Sequence, residues 1–233
     1  MIESIIPACL VVIILVLLFY KPFWMISILQ KAFSNVVFFV KTDLPFVALT
    51  LDDGPDDSVS PVVLSILNDE NIPSTWFVVG RYVEKYPKIY REISESNHQV
   101  ANHLWSHTPF ITTTKKHLFA DIERTENLIM QQVSPKLIRP PATVFFPWML
   151  GEFQRRGYRL VLGSIYAGDV WGAPSSYLRW IIPKLARPGS IIVLHVGIGR
   201  DRTGRVLKDI IHSIKRKGLT FVTLEQLLAS ENK

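Results

Sequence analysis

Two adjacent carboxylates follow an apolar run in the segment VALTLDDGPDD. Asp52 and Asp53 end the run, and Gly54 with Pro55 then forms a turn that cannot continue a strand. Paired carboxylates at a strand end can supply both a general base and a ligand for a divalent cation. A bare Asp-Asp-Gly also occurs at ordinary turns, where an Asp side chain caps the backbone. The chemical interpretation therefore depends on partners elsewhere in the chain.

Two histidines stand four residues apart in the segment NHLWSH. If this segment turns helically, His103 and His107 lie on one face with their Cβ atoms about 5–6 Å apart. Two histidines and one carboxylate, here Asp53, are a common ligand set for zinc and other divalent cations, with an open position for water. Because Leu104 follows His103, the pattern is not HExxH, and Asp52 is the candidate for the general base.

The elements that must position these residues lie beyond Leu44, where short apolar runs of strand character alternate with amphipathic segments. The predicted strands cover residues 47–51, 75–79, 99–101, 137–138, 159–162, 191–194 and 220–222. The predicted helices cover residues 61–67, 87–94, 120–131, 149–156, 177–185, 206–217 and 224–229. Strands separated by helices pair in parallel, which predicts the α/β class, either a βα barrel or an open doubly wound sheet.

Reactive side chains recur at or just after the C-terminal ends of the predicted strands. In parallel α/β folds these ends meet at one edge, where a cleft forms. The residues with this placement are Asp52, Asp53, His103, Arg139, Asp169 and His195. Their shared placement predicts a single site. His98, His117 and His212 do not share it, and we expect these three side chains to be solvated.

Five stretches resemble, in order, the motifs of the NodB-like polysaccharide deacetylases, which form carbohydrate esterase family four. The stretches are LTLDDGP, NHLWSH, IRPP, GDVW and VLH. The resemblance extends from Phe46 to Leu228 and implies a distorted (β/α) barrel of the NodB homology type. It also implies a hydrolase that acts on carbon–nitrogen bonds other than peptide bonds.

The resemblance implies a role for each matching residue. Asp53, His103 and His107 match the metal ligands, and the metal is expected to be divalent, with Zn²⁺ first and Co²⁺ or another divalent ion as alternatives. Asp52 matches the base that deprotonates a water at the metal, and Arg139 would hold Asp52 ionised. His195 matches the acid that protonates the departing amine, and Asp169 would fix its tautomer.

Other matching positions concern the substrate, and some of them depart from the family pattern. The substrate-binding positions are Pro140, Pro141, Ala142, Trp171 and Leu194. Ala142 and Thr143 stand where the family usually has Tyr-Gly, in a loop whose backbone N–H helps to bind the oxyanion in the family. Val196 follows His195 where an acid is common, and Trp171 follows Asp169 at a slightly different spacing.

The expected function is metal-dependent removal of N-acetyl groups from an amino-sugar polysaccharide or glycoconjugate. Two alternatives stay open. The altered loop at Ala142 and Thr143 favours a catalytically silent carbohydrate-binding or scaffold protein on the same fold. Aromatic residues near the N-terminal apolar run favour a deacylase of a small or lipid-linked amino sugar, with Trp105 and Trp171 available to stack on a sugar.

An uncharged apolar run from Ile5 to Tyr20 predicts a retained membrane anchor over residues 1–22. Glu3 and the lack of a small-x-small cleavage site argue against a cleaved signal peptide. Residues 23–43 are then expected to form a juxtamembrane segment, and residues 44–233 the catalytic domain. The positive-inside rule would place that domain in the cytoplasm, because the apolar run is followed by Lys21, Lys31 and Lys41. A wall substrate requires the extracytoplasmic side instead. We expect the extracytoplasmic side for this single-pass protein.

The composition and net charge indicate which classes of binding partner to expect. The net charge of +6 could draw the protein to anionic surfaces, but the densest basic cluster, residues 215–217, is typical of a solvated helix end. We therefore expect a carbohydrate substrate and a membrane, and no nucleic acid. Cys9 is the only cysteine and lies inside the apolar run, so it cannot belong to a disulfide framework.

Overall fold

A computed structural model of the chain describes residues 22–109, 112–129, 135–197 and 199–232. In it, short runs of buried, largely β-branched and aromatic residues form a parallel sheet. The strands are β1 (Val36–Val37), β2 (Phe46–Asp52), β3 (Ser74–Val78), β4 (His98–Asn102), β5 (Lys136–Ile138), β6 (Tyr158–Val161), β7 (Ile165–Tyr166), β8 (Ile191–His195) and β9 (Thr220–Val222). Their order is β1-β6-β5-β4-β3-β2-β8-β7, with β9 paired to the first half of β2. Each of these pairings is parallel.

Helices cover the outer face of this sheet, except the last one, which packs with Ala48, Phe77 and Leu137 on the inner face. They are α1 (Phe23–Ala32), α2 (Ser60–Asp69), α3 (Gly80–Lys85), α4 (Pro87–Glu95), α5 (Lys115–Ile129), α6 (Pro147–Arg155), α7 (Ser175–Leu185), α8 (Arg202–Arg216) and α9 (Leu224–Leu228). The sequence of α8 shows why a helix forms there, because Val206, Ile210 and Ile214 recur at helical spacing and are buried, while charged residues lie between them. Single 3₁₀ turns at Pro141–Thr143 and Asp169–Trp171 interrupt two of the connections.

The curled sheet is a half-barrel, so the predicted α/β class with parallel pairing is confirmed. Within the described residues, the terminal strands of the order, β1 and β7, are not paired with each other. The chain after β1 runs across one side of this gap, where the Val40 amide donates to the Gly189 carbonyl at 3.0 Å. The predicted distorted barrel is therefore an incomplete one, with the C-terminal strand ends on one edge.

The predicted membrane anchor lies almost entirely in residues 1–21, which are outside the described residues. No helix within residues 22–109, 112–129, 135–197 and 199–232 combines the length and apolar character that a bilayer span requires. The predicted juxtamembrane segment, residues 23–43, forms α1 and β1. Its Ile26 and Val36 are buried in a cluster with Leu160 of β6, so this segment packs as part of the domain.

One histidine differs from the sequence-based expectation. His98 begins β4 and is half-buried, with Nδ1 3.0 Å from the Ser74 hydroxyl and its ring 6.2 Å from the Trp76 ring. Burial lowers its pKa to about 4, so the ring is neutral at physiological pH. The expectation of a solvated His98 is wrong because the residue joins the sheet. His117 is exposed as expected, and His212 pairs with a glutamate at the surface.

Candidate active site

Asp52 and Asp53 leave the end of β2 in different directions. Asp52 is the last residue of the strand, and its side chain follows the inner face of the sheet. Asp53 has a φ of 75°, which breaks the strand geometry and turns the second carboxylate toward a neighbouring loop. This backbone turn lets two adjacent carboxylates take different partners.

The carboxylate of Asp53 meets both histidines of NHLWSH. Its Oδ1 lies 3.3 Å from His103 Nε2 and 2.8 Å from His107 Nε2. One ligand atom from each of the three residues lies within 4.8 Å of the others. The structure thus brings together the three residues that the sequence suggested as metal ligands.

The two histidines reach Asp53 through a loop and not through a helical turn. Leu104 and His107 have φ values of 65° and 57°, which no helix contains. The Asn102 side chain holds the loop, because its Nδ2 donates to the Ile122 carbonyl at 3.0 Å and its Oδ1 accepts from the Leu104 amide at 2.8 Å. The segment therefore does not make the helical turn that was the condition for one-face placement, although the two imidazoles do converge.

The chemistry of this donor set fits a divalent cation. His103 Nδ1 lies 2.8 Å from the Arg139 carbonyl, and because a carbonyl only accepts, Nδ1 carries the proton. In the neutral ring Nε2 then presents a lone pair to Asp53 Oδ1, a buried oxygen that lacks a hydrogen-bond partner among the described residues. The lone pair and the carboxylate oxygen repel each other, and a cation between the two atoms removes this repulsion. One carboxylate with two imidazoles is a typical zinc ligand set.

Positive charge around Asp53 keeps it ionised. Burial alone would raise the pKa of Asp53, but without a metal the hydrogen bonds and charge that protonated His103 and His107 supply hold the pKa well below the usual range. The outer oxygen of Asp53 has a further cationic partner, since Arg200 Nη2 lies 3.0 Å from Oδ2. Sequence reasoning missed Arg200, because an arginine within a glycine-containing loop carries no signal of the carboxylate it will meet.

Arg139 fixes the other carboxylate. Its guanidinium is fully buried and donates through Nη1 to Asp52 Oδ1 at 2.6 Å and to the Thr50 hydroxyl at 2.8 Å. The Nε group donates to the Val161 carbonyl at 3.1 Å, and the guanidinium lies 4.0 Å from the centre of the Phe77 ring. These contacts leave Asp52 one orientation at the strand end.

Thr50 is a second residue to which the sequence analysis gave no role, although it lies within LTLDDGP. Its hydroxyl donates to the Ile192 carbonyl at 2.8 Å while accepting from Arg139. The available signal was its position two residues before Asp52, which places both side chains on the same face of β2.

His195 and Asp52 are register partners on adjacent strands, β8 and β2, and they face the same cleft. Asp169 holds His195 twice, by accepting from its backbone amide at 2.7 Å and by contacting Nδ1 at 3.1 Å. Burial would lower the pKa of His195, but the hydrogen bond and charge of Asp169 outweigh it and raise the pKa above its usual value. Thr203, which the motifs also missed, donates to the His195 carbonyl at 2.7 Å.

The predicted substrate-binding positions occupy different environments. Pro140 and Pro141 are buried beside Arg139, whereas Ala142 is exposed and has a φ of 57°. Trp171 is 68% exposed on its 3₁₀ turn, where a ligand can reach it. Leu194 is fully buried in the main core cluster, on the face of β8 opposite to His195, and this placement does not bring its side chain to the cleft.

Comparison with known proteins identifies what the chain is similar to. The family model described as polysaccharide deacetylase matches residues 39–161. A peptidoglycan-N-acetylglucosamine deacetylase of Bacillus cereus is 31% identical over 185 residues, covering 78% of this chain and 67% of the relative. The peptidoglycan-N-acetylmuramic acid deacetylase PdaA of Bacillus subtilis is 29% identical, covering 78% and 71%. The crystal structure of the Bc1960 peptidoglycan N-acetylglucosamine deacetylase matches with a TM-score of 0.78 and 28% identity, covering 85% of this chain and 95% of that one.

Proposed function

The chain belongs to the polysaccharide deacetylase family of carbon–nitrogen hydrolases, and from this premise we propose that it removes N-acetyl groups from an amino-sugar polysaccharide or glycoconjugate. The observation that supports this most strongly is the placement of Asp52 and His195 on adjacent strands next to the cluster of Asp53, His103 and His107. The relatives named as deacetylases of N-acetylglucosamine and N-acetylmuramic acid in peptidoglycan support an N-acetyl amino sugar as the substrate.

The proposed mechanism needs one base and one acid. A divalent cation at Asp53, His103 and His107, most simply Zn²⁺, would polarise the amide carbonyl and lower the pKa of the attacking water towards about 7. Asp52 accepts the proton of that water as the new carbon–oxygen bond forms. His195 donates a proton to the amide nitrogen as the carbon–nitrogen bond breaks, and acetate and a free amine are released.

The surrounding residues act by positioning. Arg139 supplies the counter-charge that keeps the Asp52 carboxylate in place, and Asp169 keeps Nδ1 of His195 occupied so that Nε2 is the atom that delivers the proton. Trp171 offers an exposed ring on which a sugar can stack. The family resemblance implies that a backbone N–H of the loop at Ala142 donates to the developing oxyanion.

A catalytically silent carbohydrate-binding protein is the second candidate, and the loop after Arg139 favours it. Ala142 and Thr143 both have positive φ values, 57° and 56°, where the family usually has Tyr-Gly. A β-branched residue in this region is strained by about 1–3 kcal/mol, and a loop that relieves this strain would move the oxyanion donor. The complete set of Asp53, His103 and His107 favours the enzyme, because a scaffold has no need for this arrangement.

Acetate release distinguishes the two candidates. The protein is incubated with Zn²⁺ or Co²⁺ and with N-acetylglucosamine oligomers or peptidoglycan, and acetate is measured by an enzyme-coupled assay. The enzyme candidate predicts metal-dependent acetate release that chelation abolishes. Glycan binding without acetate release under every metal tested would support the silent protein instead.

We also propose that the apolar run of residues 5–20 anchors the protein in a membrane, with the catalytic domain, into which residues 23–43 pack, on the extracytoplasmic side. The extracytoplasmic side is supported by the peptidoglycan substrates named for the relatives. The positive-inside rule argues for the cytoplasmic side, because Lys21, Lys31 and Lys41 follow the run. Membrane fractionation with protease protection of intact cells tests both parts. A mature N-terminus beyond Lys21 would contradict a retained anchor.

A further inference from the structure

An apolar cavity of about 310 Å³ lies between α1 and the loop that follows Arg139. Helix α1 contributes Met25, Ile26, Leu29 and Phe33 to its wall. Such a volume is within the range of small-molecule pockets, and apolar walls of this kind do not hold water well. The cavity therefore suits an apolar ligand and not a sugar ring.

Part of the cavity wall comes from elements that adjoin the catalytic residues. Thr143 and Phe145 of the loop after Arg139 line it, together with Tyr166 of β7. Tyr166 is the register partner of Val193 on β8, so its side chain lies on the same face of the sheet as His195, two residues further along that strand. Tyr166 therefore belongs both to the cavity wall and to the sheet face that carries Asp52 and His195.

The helix above the cavity has a second apolar face that points outward. Trp24 and Ile28 stand one turn apart on α1, and each is 59% exposed. Two residues, Lys21 and Pro22, separate the start of the helix at Phe23 from the uncharged run that ends at Tyr20. Exposed tryptophan next to such a run is typical of a membrane–water interface. The cavity thus lies beneath the helix that connects the domain to its most apolar segment.

We infer that this cavity holds the aliphatic chain of a lipid-linked N-acetyl amino sugar while the sugar's acetamido group occupies the site at Asp52 and His195. The inference rests on the proposed deacetylase function and narrows its substrate class. An aliphatic chain gains by leaving water for an apolar wall, and the wall is continuous with the loop beside the catalytic base. A soluble wall polymer has no group that needs this cavity.

A matched pair of substrates tests the inference. The full chain is reconstituted in nanodiscs of phosphatidylethanolamine and phosphatidylglycerol, and acetate release is measured from the dodecyl and the methyl glycosides of N-acetylglucosamine. Burial of several methylene groups predicts that kcat/KM for the dodecyl glycoside exceeds that for the methyl glycoside by at least about tenfold.

Variants on the two faces of α1 separate the cavity from simple partition into the bilayer. Leu29→Trp fills the cavity, and the ratio of the two kcat/KM values is expected to fall by about tenfold or more. Ile28→Trp adds the same ring on the exposed face and should keep the wild-type ratio. Met25→Trp fills the cavity from another position, and it replaces Leu29→Trp if circular dichroism shows that this variant does not fold.

Three outcomes would overturn the inference. The first is a wild-type ratio of kcat/KM, dodecyl to methyl glycoside, near one. The second is a cavity-filled variant that keeps the wild-type ratio. The third is a fall of the ratio in Ile28→Trp as large as the fall in the cavity-filled variant. In each of these, acetate is still released from both glycosides, so the deacetylase proposal survives. Absence of acetate from both glycosides and from soluble oligomers would instead remove the deacetylase proposal itself.

Discussion

Arg139 donates to the carboxylate of Asp52 at 2.6 Å, and both side chains are removed from solvent. A buried charge pair of this kind is strongly coupled, because each charge loses its hydration and depends on the other. The pair also joins two functions in one contact, since Arg139 holds the β5 and β2 ends together and orients the proposed base. Stability and catalysis are therefore expected to fail together when the pair is broken.

Replacement of Arg139 by methionine leaves the buried carboxylate of Asp52 without its counter-charge. The free energy of unfolding is expected to fall by about 3–5 kcal/mol, as for other broken buried pairs. Urea denaturation followed by circular dichroism measures this loss. Arg155→Met is the control, because Arg155 is exposed and its ion pair should contribute less than about 1 kcal/mol. Equal effects of the two substitutions would contradict the role given to the Arg139–Asp52 pair.

Asp52→Asn should separate metal binding from catalysis. Asparagine cannot accept the proton of the attacking water, and loss of a general base lowers kcat by about 10²–10⁴-fold. The metal content, measured by atomic emission, is expected to stay at the wild-type level because Asp52 is not among the three clustered ligands. Asp57→Asn, an exposed carboxylate in the same turn, should have no effect on either quantity. Wild-type turnover in Asp52→Asn would remove the proposed base.

The pH dependence of turnover should report His195. The proposed acid must be protonated, and Asp169 raises the pKa of His195 above the usual 6.5, so activity is expected to persist through neutral pH and to fall as the pH rises past that raised pKa. Asp169→Asn removes the charge that raises the pKa, and the basic limb of the kcat/KM profile should move to lower pH. An unmoved basic limb in this variant would show that another group titrates there.

Asp56 organises the turn that leads from the active-site carboxylates into α2. It is buried and accepts from the backbone amides of Val59 at 2.9 Å and Ser60 at 2.8 Å. Asp56→Ala leaves buried donors without a partner and is expected to lower the free energy of unfolding by about 1–3 kcal/mol. Asp57→Ala, which alters the exposed neighbour, should change it by less than about 0.5 kcal/mol.

The stabilisation by the hydrogen bonds of Asp56 is expected to depend on pH. Burial would raise the pKa of Asp56, but hydrogen bonds from Ser58, Val59 and Ser60 lower it overall. A lowered pKa in the folded state stabilises the protein above the unfolded-state value of about 3.9, and this contribution is lost as the pH falls through the folded-state pKa. The stability difference between wild type and Asp56→Ala should therefore shrink below about pH 4. A difference that persists unchanged to pH 2 would mean that the carboxylate charge is not involved.

The positions of the main strands could be predicted from the sequence because buried parallel strands are continuous apolar runs. The predicted strand at residues 47–51 is observed as Phe46–Asp52, and the strand at residues 220–222 is observed unchanged. Parallel pairing follows from the helices between strands, and it brings Asp52 and His195 to one edge of the sheet. This convergence is a property of topology, so it needed no knowledge of side-chain contacts.

Contacts made by irregular backbone could not be predicted in this way. The loop that brings His107 to Asp53 depends on positive φ values at Leu104 and His107, which no hydrophobic period encodes. Arg200 reaches Asp53 from a loop, and its sequence neighbours give no indication of this partner. The short strands β1 and β7 contain two residues each, too few to show an alternating pattern.

Metal titration of the chelator-treated protein tests the central claim, that Asp53, His103 and His107 hold one divalent cation, more directly than any activity measurement. Isothermal titration calorimetry with Zn²⁺ should show one tight site per chain in the wild type, and His107→Gln should weaken it by roughly 10-fold or more because a direct ligand is lost. His117→Gln, an exposed histidine outside the cluster, should titrate as the wild type does. A wild-type protein that binds no Zn²⁺, or a His107→Gln variant that binds it equally well, would contradict the account.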